Sequence, residues 1–70
     1  MLKNSEWECV ICNDPDNNYE LCADIRHGNN TAAFIKNKDG KRIITLYEKG
    51  IDIPFDWFFE AMQIAKDRVS

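Results

Sequence analysis

An α+β domain, a four-stranded antiparallel sheet followed by one helix in the order ββββα, is the fold this 70-residue chain predicts. Three observations carry it. Short apolar–polar alternations recur along residues 7–48, three turn-forming clusters interrupt them, and one stretch of helical periodicity closes the chain.

The first strand is Trp7-Glu8-Cys9-Val10-Ile11-Cys12, whose alternation places Trp7, Cys9 and Ile11 on one face. Asn13-Asp14-Pro15-Asp16-Asn17-Asn18 is turn chemistry throughout. The second strand, Tyr19 to Arg26, points Tyr19, Leu21, Ala23 and Ile25 inward and Glu20, Cys22, Asp24 and Arg26 outward. A turn at His27-Gly28-Asn29-Asn30 follows. Strands over Thr31–Lys36 and Lys41–Glu48 then flank Asp39-Gly40, a type I′ hairpin signal because both central residues need positive φ. That two-residue loop sets Ile35 opposite Ile44 and Ala33 opposite Leu46 on one face, with Phe34, Ile43 and Tyr47 on the other. Both faces are apolar, so both want cover.

Pro54 suits the first helical position, and Asp56 complements the dipole of a helix running to about Val69. Phe55, Phe58, Met62, Ala65 and Val69 form its central stripe, with Trp57, Ala61 and Ile64 on one flank and Phe59 on the other. This apolar arc is wider than the ~100° of an ordinary surface helix. The helix is expected to lie across one sheet face and to leave apolar surface over.

Length and composition bound the function. Seventy residues make one domain, 1–70, with a thin core. The chain is 44% hydrophobic and 30% charged, which excludes disordered and fibrous classes. No apolar run reaches the roughly 20 residues of a membrane span, and the first residues have no signal-peptide h-region. Three cysteines leave one unpaired, which favours a reduced, cytoplasmic setting. Net charge is −3, unevenly spread. Residues 1–25 set Lys3 against six carboxylates. Residues 26–49 set six basic side chains against Asp39 and Glu48. The last segment is acidic again. Such a split suits oriented association; the plainer reading is acidic and basic strands neutralising each other side by side.

Cys9, Cys12, Cys22 and His27 make C-x2-C-x9-C-x4-H, a ligand set that would complete a tetrahedral zinc site. The opening Cys-Val-Ile-Cys is similar to the start of a RING finger, but the later paired ligands are missing. Strand alternation also sends Cys9 and Cys12 to opposite faces, so the plainer reading is one core thiol and two bystanders. Pairing Cys12 with His27 as nucleophile and base lacks a third group and a pocket. No phosphate-binding glycine loop is present, no cofactor is implied, and the chain is read as a non-enzyme.

Lys36, Lys38, Lys41 and Arg42 cluster at the hairpin tip beside Phe34 and Tyr47, a combination that suits single-stranded nucleic acid through phosphate neutralisation and base stacking. The plainer reading is edge-strand protection by lysines, and the acidic pI of 4.9 favours it.

The stretch from Asp39-Gly40 through Lys49-Gly50-Ile51-Asp52-Ile53 into an aromatic-rich helix resembles the end of the four-strand-plus-helix domain of the positive-cofactor-four-type transcriptional coactivators. There a Lys-Gly-Ile-x-Leu strand leads to a helical Trp or Phe about five residues on, a place Phe58 matches. The resemblance implies a dimer that binds single-stranded DNA on its strand surface. The same stretch is similar to small phage inhibitors of uracil-DNA glycosylase. It covers about 20 of the 70 residues, and the acidic first strands depart from a nucleic-acid surface.

The expected function is therefore a small interaction protein, a regulator or inhibitor in the style of phage or mobile-element proteins. It acts by protein–protein association, as a homodimer, with Trp57, Ala61, Ile64 and Phe59 as contacts, since aromatic anchors are common hot spots. The plainer reading of that flank is that it folds under the N-terminal strand. Single-stranded nucleic-acid binding and a zinc module are the alternatives.

Overall fold

The computed structural model describes residues 2–69. Five strands and one helix form the fold: β1 (Leu2–Asn4), β2 (Trp7–Asp14), β3 (Glu20–His27), β4 (Asn30–Lys38), β5 (Lys41–Leu46) and α1 (Phe55–Arg68). All neighbours are antiparallel, and the strand order in the sheet follows the chain. The architecture is α+β, with five strands where four were expected.

The extra strand is β1. Leu2 pairs with Cys9 and Asn4 with Trp7, so Ser5-Glu6 closes a two-residue hairpin in which Ser5 takes a φ of 55°. Neither turn residue is glycine, and a three-residue strand is too short to display alternation.

The β4–β5 hairpin has the expected register, Ile35 opposite Ile44 and Ala33 opposite Leu46. Asp39 and Gly40 take φ of 55° and 80°, as a type I′ loop requires. The Asn37 side chain accepts from the Gly40 amide at 3.1 Å. Between β3 and β4 the register shifts at Ile25/Arg26, where Ala32 is the extra residue of a bulge. The β2–β3 connection is a one-turn 3-10 helix, Pro15–Asn17, capped by Asp14, whose carboxylate accepts from the Asp16 amide.

Pro54 caps α1 rather than opening it, and Val69 ends it with its amide on the Ala65 carbonyl. Arg42 Nε donates to the Val69 carbonyl at 2.8 Å, a cation at the negative end of the helix. The core lies between α1 and the face bearing Trp7, Cys9, Ala23, Ile25, Ala33 and Ile35. Alanines on both sides, Ala23 and Ala33 below and Ala61 and Ala65 above, let the helix approach closely. The large residues sit together: the Trp7 ring is 5.7 Å from that of Trp57 and 4.4 Å from the His27 imidazole, on which it stacks.

This packing corrects two expected contact residues. Trp57 is 6% exposed and Ala61 fully buried, so both belong to the intramolecular core, under which the first long strand runs. The helix turned that flank inward because Trp7 offers an aromatic surface to Trp57. Ile64 is half-buried and Phe59 exposed. Tyr19 and Leu21, expected inward, are exposed. Tyr19 leaves the strand at a φ of 58°.

Candidate functional site

The core helix lies over β2 and β3, so the inward face of β5 is left bare. Ile44 and Leu46 point to the helix side of the sheet but are exposed, Leu46 at 67%. Phe55 and Phe59, one turn apart on the opposite flank from Trp57, stack on each other with centroids 6.5 Å apart, and are 79% and 57% exposed. Between helix and strand runs a shallow trough of about 250 Å³, lined by Ile35, Arg42, Ile44, Met62, Ala65 and Lys66. A second depression, bounded by Leu46, Ile51 and Ile53, continues along the segment leading to the helix. Helical spacing puts Phe55, Phe59, Met62 and Lys66 on this side.

Beside the trough is a free strand edge. Among the described residues β5 is the last strand of the sheet and pairs only with β4. The Tyr47 amide donates inward to the Ala32 carbonyl. Alternation along an antiparallel ladder then turns the backbone groups of Thr45 and Ile43 inward and those of Arg42, Ile44 and Leu46 outward. An unpaired backbone row next to an apolar trough is the arrangement that strand pairing with another chain uses. Sequence reasoning missed this flank except for Phe59. The signal was the aromatic pair Phe55/Phe59 at one-turn spacing.

The opposite sheet face has no helix over it. Register places Phe34, Lys36, Lys38, Lys41 and Ile43 there, and the alternation of β5 continues to Tyr47. Arg42 is on the other side, tied to the end of α1, so the expected basic cluster is divided and Arg42 leaves it. The same face carries Glu8, Asp24 and Arg26 on β2 and β3. Glu8 sits between Lys3 and Arg26, so part of the charge split is neutralised across strands. Asp24 is the neighbour of Phe34. One of its carboxylate oxygens is buried without a partner among the described residues, and the other is 3.9 Å from Arg26.

The four zinc-ligand candidates do not converge, which corrects that alternative. Cys9 points into the core, where burial pushes its thiol up and leaves it inert. Cys12 and Cys22 are on the other face. His27 stacks on Trp7, with Nε2 3.3 Å from a Glu6 carboxylate oxygen. No cluster of three or more metal-ligating side chains occurs among the described residues. Cys12 is also no partner for His27: five residues along β2 separate their positions, roughly 17 Å.

No helix among the described residues is long and apolar enough to cross a membrane. No family model, curated protein or solved structure matches the chain.

Proposed function

We propose that this chain is a small non-enzymatic protein that works by association: it forms a homodimer through β5 and the adjoining trough, and in that form regulates or inhibits a larger protein. The observation that carries the reading is the coincidence of a free strand edge with exposed Ile44, Leu46, Phe55 and Phe59 on one side of the molecule. A chain of this size has little apolar surface to spare, and leaving four large apolar side chains in water favours association.

Two copies related by a twofold axis at Ile44 would pair β5 with β5 antiparallel. The outward backbone groups of Ile44 then meet those of Ile44 of the partner subunit, and Arg42 meets Leu46 of the partner subunit. Lys41 and Arg42 do not face their own copies, so the basic end does not oppose pairing. Both helices stay on one face of a ten-stranded sheet, with their phenylalanine flanks turned toward each other. Sedimentation velocity across a hundredfold concentration range is expected to show a monomer–dimer equilibrium. A single monomer species up to the highest concentration would overturn the reading.

A second reading is favoured by a different observation. Phe34, Lys36, Lys38, Lys41 and Tyr47 share one uncovered face, as a single-stranded nucleic-acid surface would need. Asp24 beside Phe34 weighs against it. On this reading oligonucleotide affinity falls steeply between 50 and 200 mM salt; fluorescence anisotropy with labelled oligothymidylate measures it, and salt-independent or undetectable binding removes it.

A further inference from the structure

Cys12 and Cys22 lie directly opposite each other on β2 and β3, on the sheet face that carries no helix. Their sulfur atoms are 3.1 Å apart. The Cys22 thiol is also within hydrogen-bond reach of the Cys12 carbonyl, at 3.3 Å, which holds its side chain toward β2. Directly opposed residues of an antiparallel pair have Cα atoms about 4.5–5.5 Å apart, inside the range that a disulfide spans. A bond of ~2.05 Å needs the sulfurs to close by only about 1 Å, with no change of register. Cys12 is half-buried and meets solvent, Cys22 is fully buried, and the third cysteine, Cys9, is turned into the core and cannot compete.

We infer that Cys12 and Cys22 form a dithiol modification site that closes to an intramolecular disulfide with a low-molecular-weight disulfide such as oxidised glutathione. The steps balance. The Cys12 sulfur, having given up its proton to solvent, attacks one sulfur of oxidised glutathione and breaks its S–S bond; one glutathione leaves as a thiolate and takes up a proton. Cys22 then loses its proton and its sulfur attacks Cys12 Sγ, breaking the mixed disulfide and releasing the second glutathione. Two protein thiols are oxidised, and one oxidised glutathione becomes two reduced ones. In the reduced pair burial first, then the hydrogen bond with Cys12, pushes the Cys22 thiol up to about 12; the burial persists in the mixed disulfide, so the second attack speeds up as pH rises. The product staples β2 to β3 across the 3-10 turn, and does so independently of what covers β5.

The test is incubation of the folded protein with oxidised glutathione, quenching in denaturant with an alkylating agent, and intact-mass analysis. The expected product has the mass of a single chain with no covalent cross-link to a second, has lost two hydrogens, and takes up one alkyl group in place of three. Dithiothreitol restores three. Cys9→Ser gives the same two-hydrogen loss, whereas Cys12→Ser gives none. Closure speeds up from pH 7 to pH 9, and the oxidised protein melts on the order of 10 °C higher. Three alkylatable thiols after treatment, a mixed disulfide that never resolves, or a disulfide only between chains would each overturn the inference.

Discussion

Replacing Trp57 by alanine is expected to cost about 3–5 kcal/mol and to leave the domain at the edge of unfolding. The side chain is 6% exposed, packs against Trp7, and belongs to the same buried cluster as Ala61, Ala65 and Val69. Truncating a buried tryptophan removes its transfer free energy and leaves a cavity that alanine-rich surroundings cannot fill. A domain of this length has total stability on the order of 4–10 kcal/mol, so the loss is about a third of it or more. Each kcal/mol lowers the melting temperature of so small a domain by roughly 4–8 °C. Thermal melts followed by far-ultraviolet circular dichroism should therefore place Trp57→Ala on the order of 20 °C below the parent. Phe59→Ala, measured at a concentration where the parent is monomeric, should stay within about 0.5–1 kcal/mol, because its ring is largely in solvent. A Trp57→Ala melt within a few degrees of the parent would show that the tryptophan pair does not hold helix to sheet.

The opposite fates of Trp57 and Phe59 mark where sequence reading stops. The helix and its apolar arc were legible, because periodicity depends only on the local chain. The rotation of the helix about its own axis was not, because Trp57 and Phe59 are equivalent until a sheet is placed beneath them. That rotation is decided by partners distant in sequence: Trp7, which receives Trp57, and the alanines that let the middle of the helix descend. The β4–β5 register was legible because Asp39-Gly40 fixes the loop length, and the loop length fixes the pairing. The meeting of Cys12 and Cys22 was not, since β2 and β3 are joined through a 3-10 turn with no such rule. Opposite faces for Cys9 and Cys12 follow from strand alternation alone, which by itself weighs against a shared zinc ion.

Proline at Ile44 and proline at Thr45, adjacent residues of one edge strand, are expected to fail in different ways. Thr45 pairs with Phe34, and the phase set by the Tyr47 amide turns its N–H inward toward β4. Proline there deletes a ladder hydrogen bond and drives its ring at the neighbouring strand, so the hairpin opens and the melting temperature falls. Ile44 turns its N–H outward, where an edge strand tolerates proline. The monomer should keep its circular dichroism spectrum, losing only what the half-exposed Ile44 side chain contributes. The dimer proposed on β5 has no such tolerance. The twofold axis at Ile44 makes the substitution remove the central donor of both chains and set two proline rings against each other. Each lost hydrogen bond is worth about 1 kcal/mol net, and symmetry counts it twice. The two lost bonds alone raise the dimer dissociation constant about thirtyfold, at 1.4 kcal/mol per factor of ten, and the opposed proline rings raise it further. Leu46→Lys, which sets a cation opposite Arg42 of the partner subunit without touching the backbone, should weaken the dimer in the same direction. Sedimentation velocity of the parent and the three variants separates the outcomes. A folded Ile44→Pro that dimerises like the parent would move the interface away from β5. A Thr45→Pro as stable as the parent would mean that the ladder runs in the opposite phase, and with it the row of free backbone groups on which the dimer depends.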